Sequence, residues 1–485
     1  MNVRAIAHVM GTLLLVTGGA MVLPVICAIL YWGEGDLGPL VLSAAITVGI
    51  GFPLWWLFRK DLDLQPRDAF VIAVFGWVVI SAVSALPYII HGSIPSFTDA
   101  FFEMMSGYTT TGATILTDIE ALPHGLLFWR SQTHLLGGMG FLTLAILFLP
   151  HGMGGLRMFR AESSPGQTIT REKFTARNRD AIRYLWIIYL GLNALQVLFM
   201  MAGGMSLFDS ICHAFGTVST SGYSPYNASI GHYDSAYFDW VIIVFMFLGG
   251  VTFMLYFHAF RGRWRMLTRN TELRVYVAVV AVFAGVVSMV LWLKGTYGLA
   301  DAFRYGTFQV MSLLTTTCYT TADYELWPHA TQMFLYAVVF IGACAGSTTS
   351  GVKIIHYILI WKFMTSAIKK IFFQPLAVLS VRVDGRPVEL TIVYIAICYF
   401  IVNIFLVLGG GCVMALSDDM DVQTAMSTVI SSLMNIGPGF GDIGPSENFA
   451  FISTFGKWFL AWTMLVGRLE MFSALVIFYA SFWRR

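Results

Sequence analysis

The chain has 485 residues, of which 57% are hydrophobic and only 12% are charged. A typical soluble domain has about 25% charged residues, so this composition excludes a soluble enzyme, a disordered protein and a nucleic-acid-binding protein. The formal net charge of +2 provides no basic field for DNA or RNA. The six cysteines form no Cys-X-X-Cys pair, so we expect buried apolar residues rather than zinc ligands or disulfides.

Long apolar segments predict membrane-spanning helices. A helix needs roughly 20 apolar residues to cross the hydrocarbon core, and several uncharged runs reach that length. These runs are residues 6–32, 37–58, 184–208, 240–260, 275–293, 330–352 and 391–417. The first run is too long for the apolar part of a signal peptide and lacks a small-residue cleavage site, so we expect it to remain as a span.

The charges alternate in sign from one connection to the next. Most of the 29 Lys and Arg residues lie in residues 1–4, 59–67, 157–183, 261–274, 362–386 and 484–485. The opposite connections carry acidic residues at 34–36, 118–120, 323–325 and 418–421. The positive-inside rule therefore places the basic connections and both termini in the cytoplasm, which requires an even number of spans. The basic segment 157–183 fits either contact with lipid headgroups or a docking surface for a partner.

Shorter segments between the spans are half apolar and rich in Thr, Ser and Gly, as in residues 94–122 and 206–239. We predict that each forms a short pore helix and a re-entrant loop, because non-helical backbone at membrane depth must line a water-filled path or be buried in protein. The four loops end at Gly112, Gly222, Cys318 and Gly437. A small-residue pair follows each, at 137–138, 249–250, 345–346 and 466–467, and we favour close helix packing over a hinge role for the glycine pairs.

The predicted fold is an all-α polytopic membrane protein with four span–pore helix–span repeats. These repeats have pseudo-fourfold symmetry, and an extra N-terminal helix pair brings the total to ten spans and four re-entrant loops. The predicted units are an N-terminal pair at 1–68, repeat 1 at 69–160, repeat 2 with its preceding cytoplasmic loop at 161–270, repeat 3 with a broken second span at 271–372, and repeat 4 at 373–485.

The loop composition predicts a path for a monovalent cation. Backbone carbonyls and Thr or Ser hydroxyls can replace a hydration shell without holding the ion too tightly, whereas carboxylates favour divalent ions. The candidate filter residues are Thr110, Thr111, Gly112, Thr220, Ser221, Gly222, Thr316, Thr317, Cys318, Asn435, Ile436 and Gly437. An acidic outer rim, with Asp99, Glu103, Asp118 and Glu120 among its members, would concentrate cations. For Asp99 and Asp209 we favour capping of the pore helices over ion binding.

A candidate gate lies in the third repeat. Residues 330–373 are too long for one crossing and are interrupted by a Gly-, Ser- and Thr-rich stretch, which predicts an intramembrane loop rather than the alternative of a kinked helix with a cytoplasmic extension. Arg468 lies inside the last span, where a charge is costly and therefore suggests function; a structural ion pair with Glu470 is the alternative. The candidate gate residues are Gly346, Ser347, Thr348, Thr349, Ser350, Gly351, Lys353 and Arg468.

The fourfold unit, the motifs Thr-Thr-Thr-Gly112 and Ser-Thr-Ser-Gly222, and the segment Val-Gly-Arg468-Leu-Glu resemble the Trk/Ktr/HKT superfamily of potassium transporters. The extra N-terminal pair is similar to that of the bacterial TrkH branch. The resemblance implies a potassium-conducting homodimer in the inner membrane, with one pore per protomer and a loop that obstructs it. It also implies a cytoplasmic nucleotide-binding regulator of the TrkA type and no cofactor besides the transported potassium. Cys318 departs from the family pattern, which has Gly there.

Several consequences follow from the resemblance. With one Gly per loop, the filter should pass potassium and rubidium and should exclude sodium less strictly than a longer channel filter. Gly112 fits the family members that pass potassium. A proton- or sodium-coupled symporter is the main alternative within transport. A multi-span membrane enzyme is a remote alternative. The segment Gly-Phe-Gly-Asp442 matches the signature of intramembrane aspartyl proteases, but no span carries a second acid facing it. The sequence also has no P-loop for ATP hydrolysis.

Overall fold

The computed structural model describes residues 1–59, 64–140, 178–372 and 381–484. The helices are Val3–Ala20, Val22–Leu30, Leu37–Leu57, Pro66–Ser84, Leu86–His91, Phe97–Tyr108, His124–Gly138, Asn178–Ala202, Leu207–Val218, Ala236–Gly249, Phe253–Phe260, Arg265–Arg269, Thr271–Leu293, Leu299–Leu314, His329–Val339, Ile354–Phe372, Leu390–Asp418, Val422–Met434, Thr454–Arg468, Phe472–Leu475 and Ala480–Trp483. Three 3-10 turns occupy Ser229–Tyr233, Tyr324–Leu326 and Val476–Phe478, and strands Arg382–Val383 and Arg386–Pro387 pair antiparallel. Most of the predicted basic loop, up to residue 177, lies outside the described residues.

Six helical segments in the described part of the chain are long and apolar enough to cross a membrane. They are Val3–Leu30, Leu37–Leu57, Arg67–His91, Ile182–Ala202, Thr271–Leu293 and Leu390–Asp418. A seventh candidate is the pair Ala236–Gly249 and Phe253–Phe260, whose axes differ by 91°. The chain is therefore an integral membrane protein, and the part that the structure describes is mostly helical.

Four short helices lie between these long ones, and we call them pore helices 1 to 4. They are Phe97–Tyr108, Leu207–Val218, Leu299–Leu314 and Val422–Met434. Serines, not the predicted aspartates, cap the first two: Ser96 and Ser206 accept hydrogen bonds from the backbone N–H groups three residues later. Asp99 instead forms an ion pair with Lys457, with 2.6 Å between Oδ1 and Nζ. The capping prediction for these two aspartates was wrong because they stand inside the first helical turn.

The α-helix that follows each pore helix stops well before it could cross a membrane. These helices, His124–Gly138, Ala236–Gly249, His329–Val339 and Thr454–Arg468, have 11 to 15 residues. At 1.5 Å per residue, none reaches the roughly 30 Å of a hydrocarbon core. The run 240–260 is thus two helices rather than the single span that its length predicts, and the run 184–208 ends its helix at Ala202. Apolar length conceals these breaks because both sides of each break are apolar.

Candidate functional site

The four pore helices end in loops with one shared backbone path. We call residues 109–112, 219–222, 315–318 and 435–437 loops 1 to 4. An early residue in each loop has a positive φ close to 55°, namely Thr110, Thr220, Thr316 and Asn435. The last residue also has a positive φ, 78° at Gly112, 82° at Gly222, 71° at Cys318 and 80° at Gly437. Two left-handed residues separated by one other residue therefore occur four times.

Each loop is fastened to its pore helix in the same manner. In loop 1, the N–H of Thr111 donates to the carbonyl oxygen of Ser106 at 2.9 Å. The equivalent bonds run from Ser221 to Gly216, from Thr317 to Ser312 and from Ile436 to Ser431, at 2.8 to 2.9 Å. This is the usual way in which a left-handed residue closes a helix C-terminus. The repeated motif fixes where the following carbonyl groups point.

The loops meet around one centre. A Cβ added to Gly112 would overlap the carbonyl oxygen of Ser221, and one added to Gly222 would overlap that of Thr317. A Cβ on Gly437 would lie 2.7 Å from the carbonyl oxygen of Thr111. Loop 1 therefore faces loop 2, loop 2 faces loop 3, and loop 4 faces loop 1. We call this arrangement the ring; glycine is needed there both for its positive φ and for the close approach.

Hydroxyl groups of three loops form hydrogen bonds that stabilise the ring. Thr109 Oγ1 lies 2.8 Å from Thr111 Oγ1 and donates to the Met105 carbonyl at 2.7 Å. The pairs Ser219–Ser221 and Thr315–Thr317 repeat this contact at 2.5 and 2.7 Å. These hydroxyls are already engaged within the protein. The sequence predicts both carbonyl and hydroxyl oxygens as ion ligands, and of these two kinds the hydroxyls of the three pairs have hydrogen-bond partners within their own loops.

The glycine pairs predicted to pack closely lie where the helices that follow the pore helices contact the ends of the pore helices. A Cβ on Gly137 would overlap the carbonyl of Tyr108, and a Cβ on Gly467 would overlap that of Leu433. A Cβ on Gly249 would lie 3.3 Å from the Val218 carbonyl, tighter than most contacts. This geometry supports the close-packing interpretation of these pairs.

Residues 340–353 form a non-helical segment that contacts loops 2 and 3, and we call it the intramembrane loop after its predicted position. Thr348 Oγ1 donates to the carbonyl of Val218 at 2.9 Å, just before loop 2. The N–H of Ser350 donates to Thr316 Oγ1 of loop 3 at 3.1 Å. Buried Lys353 donates to the carbonyl of Thr349 and, at 3.1 Å, to its hydroxyl. The helix stops at Val339 and resumes at Ile354, so the kinked-helix alternative does not describe this segment.

Arg468 joins three parts of this region through its guanidinium. Nη1 donates to Thr110 Oγ1 at 3.0 Å, to the Thr348 carbonyl at 3.0 Å and to Ser350 Oγ at 3.2 Å. Nη2 donates to the carbonyls of Gly137 and Gly138 at 2.6 and 2.8 Å. The carbonyls at 137 and 138 are available because the helix His124–Gly138 ends there. Arg468 thus links loop 1, the intramembrane loop and the end of a helix.

A buried network behind loops 1 and 2 was missing from the sequence prediction. The carboxylate of Glu103 is fully buried, 2.8 Å from Arg130 Nε, and accepts from the N–H of Ile115 at 2.9 Å. The Arg130 guanidinium lies 3.4 Å above the ring centre of Tyr223, whose hydroxyl donates to the Glu103 carbonyl at 2.8 Å. Glu103 is therefore not part of an exposed acidic rim. The signal was Arg130, a charged residue in a helix that otherwise contains no Lys, Arg, Asp or Glu.

An apolar helical bundle in which four short helices meet around uncharged oxygens belongs to the class of integral membrane transport proteins. Among the described residues, no group of three or more His, Cys, Asp or Glu side chains could hold a metal ion. The family model for TrkH, described as a cation transport protein, matches residues 40–485. The chain belongs to this TrkH family, and it is a transport protein rather than an enzyme.

Relatives with assigned functions match the chain over its whole length. It is 35% identical over 489 residues to the Trk system potassium uptake protein TrkH of Escherichia coli (strain K12), with 100% of each covered. It is 33% identical to the TrkG protein of the same strain, covering 100% of this chain and 99% of that protein. The crystal structure of the potassium transporter TrkH from Vibrio parahaemolyticus superimposes with a TM-score of 0.88 at 31% identity, covering both chains completely.

Proposed function

We propose that this protein conducts potassium across the bacterial inner membrane through the ring. The observation that carries the proposal is the fourfold recurrence of one backbone path, together with the close contacts that bring carbonyl oxygens of one loop against the glycine of the next. Carbonyl oxygens can replace the hydration shell of a potassium ion as it enters. The names of the Trk relatives identify them as potassium uptake proteins, which supports the choice of ion.

The filter in this proposal is the set of twelve residues predicted from the sequence. Each loop contributes only three residues to the filter, so the ring offers fewer successive ion sites than a longer channel filter. Potassium and rubidium should pass, and sodium should pass more slowly but measurably. We also propose the ten spans, four repeats and five units that the sequence predicts. In this count, the short helix after each pore helix and the segment that follows it form one crossing.

The intramembrane loop and Arg468 form the gate in this proposal. Thr348 and Ser350 contact the underside of loops 2 and 3, and Arg468 holds both residues from the side. The bonds are directional and lie within a low-dielectric region, where they are strong. Opening therefore requires the segment from Gly346 to Lys353 to leave these partners. The positive charge of Arg468 also opposes a cation that passes close by.

The assembly in this proposal is a homodimer in the inner membrane, with both termini in the cytoplasm. The alternation of basic and acidic connections supports this orientation. Exposed arginines at 261, 263, 265 and 269 lie on one of the basic connections. A cytoplasmic nucleotide-binding regulator of the TrkA type would control the gate, in line with full-length similarity to Trk proteins.

Flux through purified protein in liposomes tests the proposal. Potassium, rubidium, sodium and lithium uptake should follow that order of decreasing rate, driven by the gradient of the ion alone. A rate that changed with pH at fixed voltage would favour a coupled symporter instead. Gly112→Ala should abolish the discrimination, because its Cβ would overlap the Ser221 carbonyl. Gly409→Ala, a helical glycine with open space around it, is the matched control and should behave as wild type. Equal rates for all four ions would contradict the proposal.

A further inference from the structure

Loop 3 ends in a residue that carries a side chain where the other loops have none. Cys318 adopts a φ of 71°, close to the values at Gly112, Gly222 and Gly437. A residue with a Cβ is rarely found in this left-handed region. The cysteine side chain is almost fully buried, with 6% of its surface exposed. The chain therefore accepts local strain to place a thiol at one corner of the ring.

The thiol reaches to the opposite side of the ring. Loop 1 faces loops 2 and 4, so loop 3 lies diagonally across from it. Cys318 Sγ lies 3.2 Å from the carbonyl oxygen of Thr111 in loop 1, and 3.2 Å from that of Thr316 in its own loop. A Cβ placed on Gly112 would lie 3.3 Å from the Cβ of Cys318. A group that contacts both diagonal loops occupies the space between them.

We propose that Cys318 determines the ion specificity of this protein by placing its thiol in the centre of the ring. The inference rests on the proposed function and adds a residue-specific feature to it. The S–H group donates to the Thr111 carbonyl or the Thr316 carbonyl, and so competes with an ion for the same oxygens. A passing ion must displace the thiol from these carbonyls. The displaced side chain still narrows the opening of the ring, which a glycine at this position would leave wider.

Two consequences distinguish this role from a structural one. Removing the side chain should raise potassium flux and should favour rubidium, the larger ion, more than potassium, since the opening becomes wider. Silver ions should also block the wild-type protein from within the ring. Silver binds sulfur strongly: the thiol loses its proton to solvent, one Ag–S bond forms for the S–H bond that breaks, and no electron is transferred.

The experiment compares wild-type protein with Cys318→Gly and Cys318→Ser in liposomes. Potassium and rubidium fluxes are measured in chloride-free buffer before and after micromolar silver nitrate. We expect Cys318→Gly to raise potassium flux roughly two- to fivefold, the change that follows when a hydrogen bond from a weak S–H donor no longer holds the thiol in the path. The rubidium-to-potassium ratio should rise as well. Silver should block wild type and leave both variants conducting.

The exposed cysteines provide matched controls. Cys398→Ser and Cys412→Ser alter thiols far from the ring in sequence and should keep both the wild-type flux and the silver block. The inference is overturned if wild type conducts potassium but silver does not block it, or if Cys318→Gly leaves flux and ion ratio unchanged. It is also overturned if both position-318 variants fold and conduct less than wild type. If no protein in the series conducts potassium, the proposed function itself fails.

Discussion

Replacing Arg468 by alanine removes at least five hydrogen bonds, two of which hold the intramembrane loop through Thr348 and Ser350. A hydrogen bond with a charged donor contributes about 1.5–3 kcal/mol net, so the two together favour the closed loop by about 3 kcal/mol at the lower limit. Since 1.4 kcal/mol corresponds to a factor of ten, the balance between closed and open loop shifts by roughly a hundredfold. Potassium flux should rise by up to that factor.

The assay is potassium and sodium flux in liposomes at matched protein density. Selectivity should be retained, because the backbone hydrogen bonds that shape the ring run from each loop to its pore helix, whereas the contact of Arg468 with loop 1 is to the Thr110 side chain. Arg468→Lys keeps the charge but loses the two-pronged geometry, so its flux should lie between wild type and Arg468→Ala. Deleting residues 347–350 should raise flux in the same direction. Unchanged or lower flux from folded Arg468→Ala protein would refute the gate.

Three further changes test other parts of the structure by unfolding in detergent. Glu103→Ala leaves Arg130 buried without its counter-charge and should lower the free energy of unfolding by about 3–5 kcal/mol; an unchanged midpoint would contradict the pairing. Gly467→Ala should destabilise the protein, because its Cβ would overlap the Leu433 carbonyl of pore helix 4. Gly49→Ala, at a glycine with open space around it, is the control and should not. Equal effects of the two substitutions would argue against close packing. Asp421→Ala removes the N-cap of pore helix 4 and should cost about 1 kcal/mol at neutral pH. Hydrogen bonds, above all from the Thr424 side chain, lower the pKa of the Asp421 carboxyl below 3.8, so its stabilisation is complete above that pH and is lost as pH falls through the lower folded value. An effect of Asp421→Ala that did not shrink as the pH was lowered step by step below 3.8 would contradict this role.

The sequence was sufficient to locate the loops because their signals are local. Thr, Ser and Gly clusters at the end of a short apolar segment mark each one, and repetition makes the pattern specific. The structure brings Gly112, Gly222, Cys318 and Gly437 around one centre. The interruption between Val339 and Ile354 was also evident from composition, since glycine and serine at that density end a helix.

Long-range partners could not be read from the sequence. Glu103 and Arg130 are 27 residues apart, and Asp99 and Lys457 are 358 apart, so no periodicity connects them. The sequence predicts Glu103 in an acidic outer rim, but Glu103 lies in pore helix 1 and is buried. The rule that drew attention to Arg468 also applies to Arg130, which is buried in the helix His124–Gly138. Applying it there would have predicted a buried acidic partner, though not which one.

The central claim is that backbone carbonyls of the four loops bind a dehydrated potassium ion at one shared centre. Crystals grown with rubidium in place of potassium test it most directly, through the anomalous scattering of the ion. The account predicts a rubidium peak within the ring, within coordination distance of carbonyl oxygens from all four loops, in Cys318→Gly protein. A ring without a peak in that variant, with ordered rubidium elsewhere along the bundle, would contradict the account.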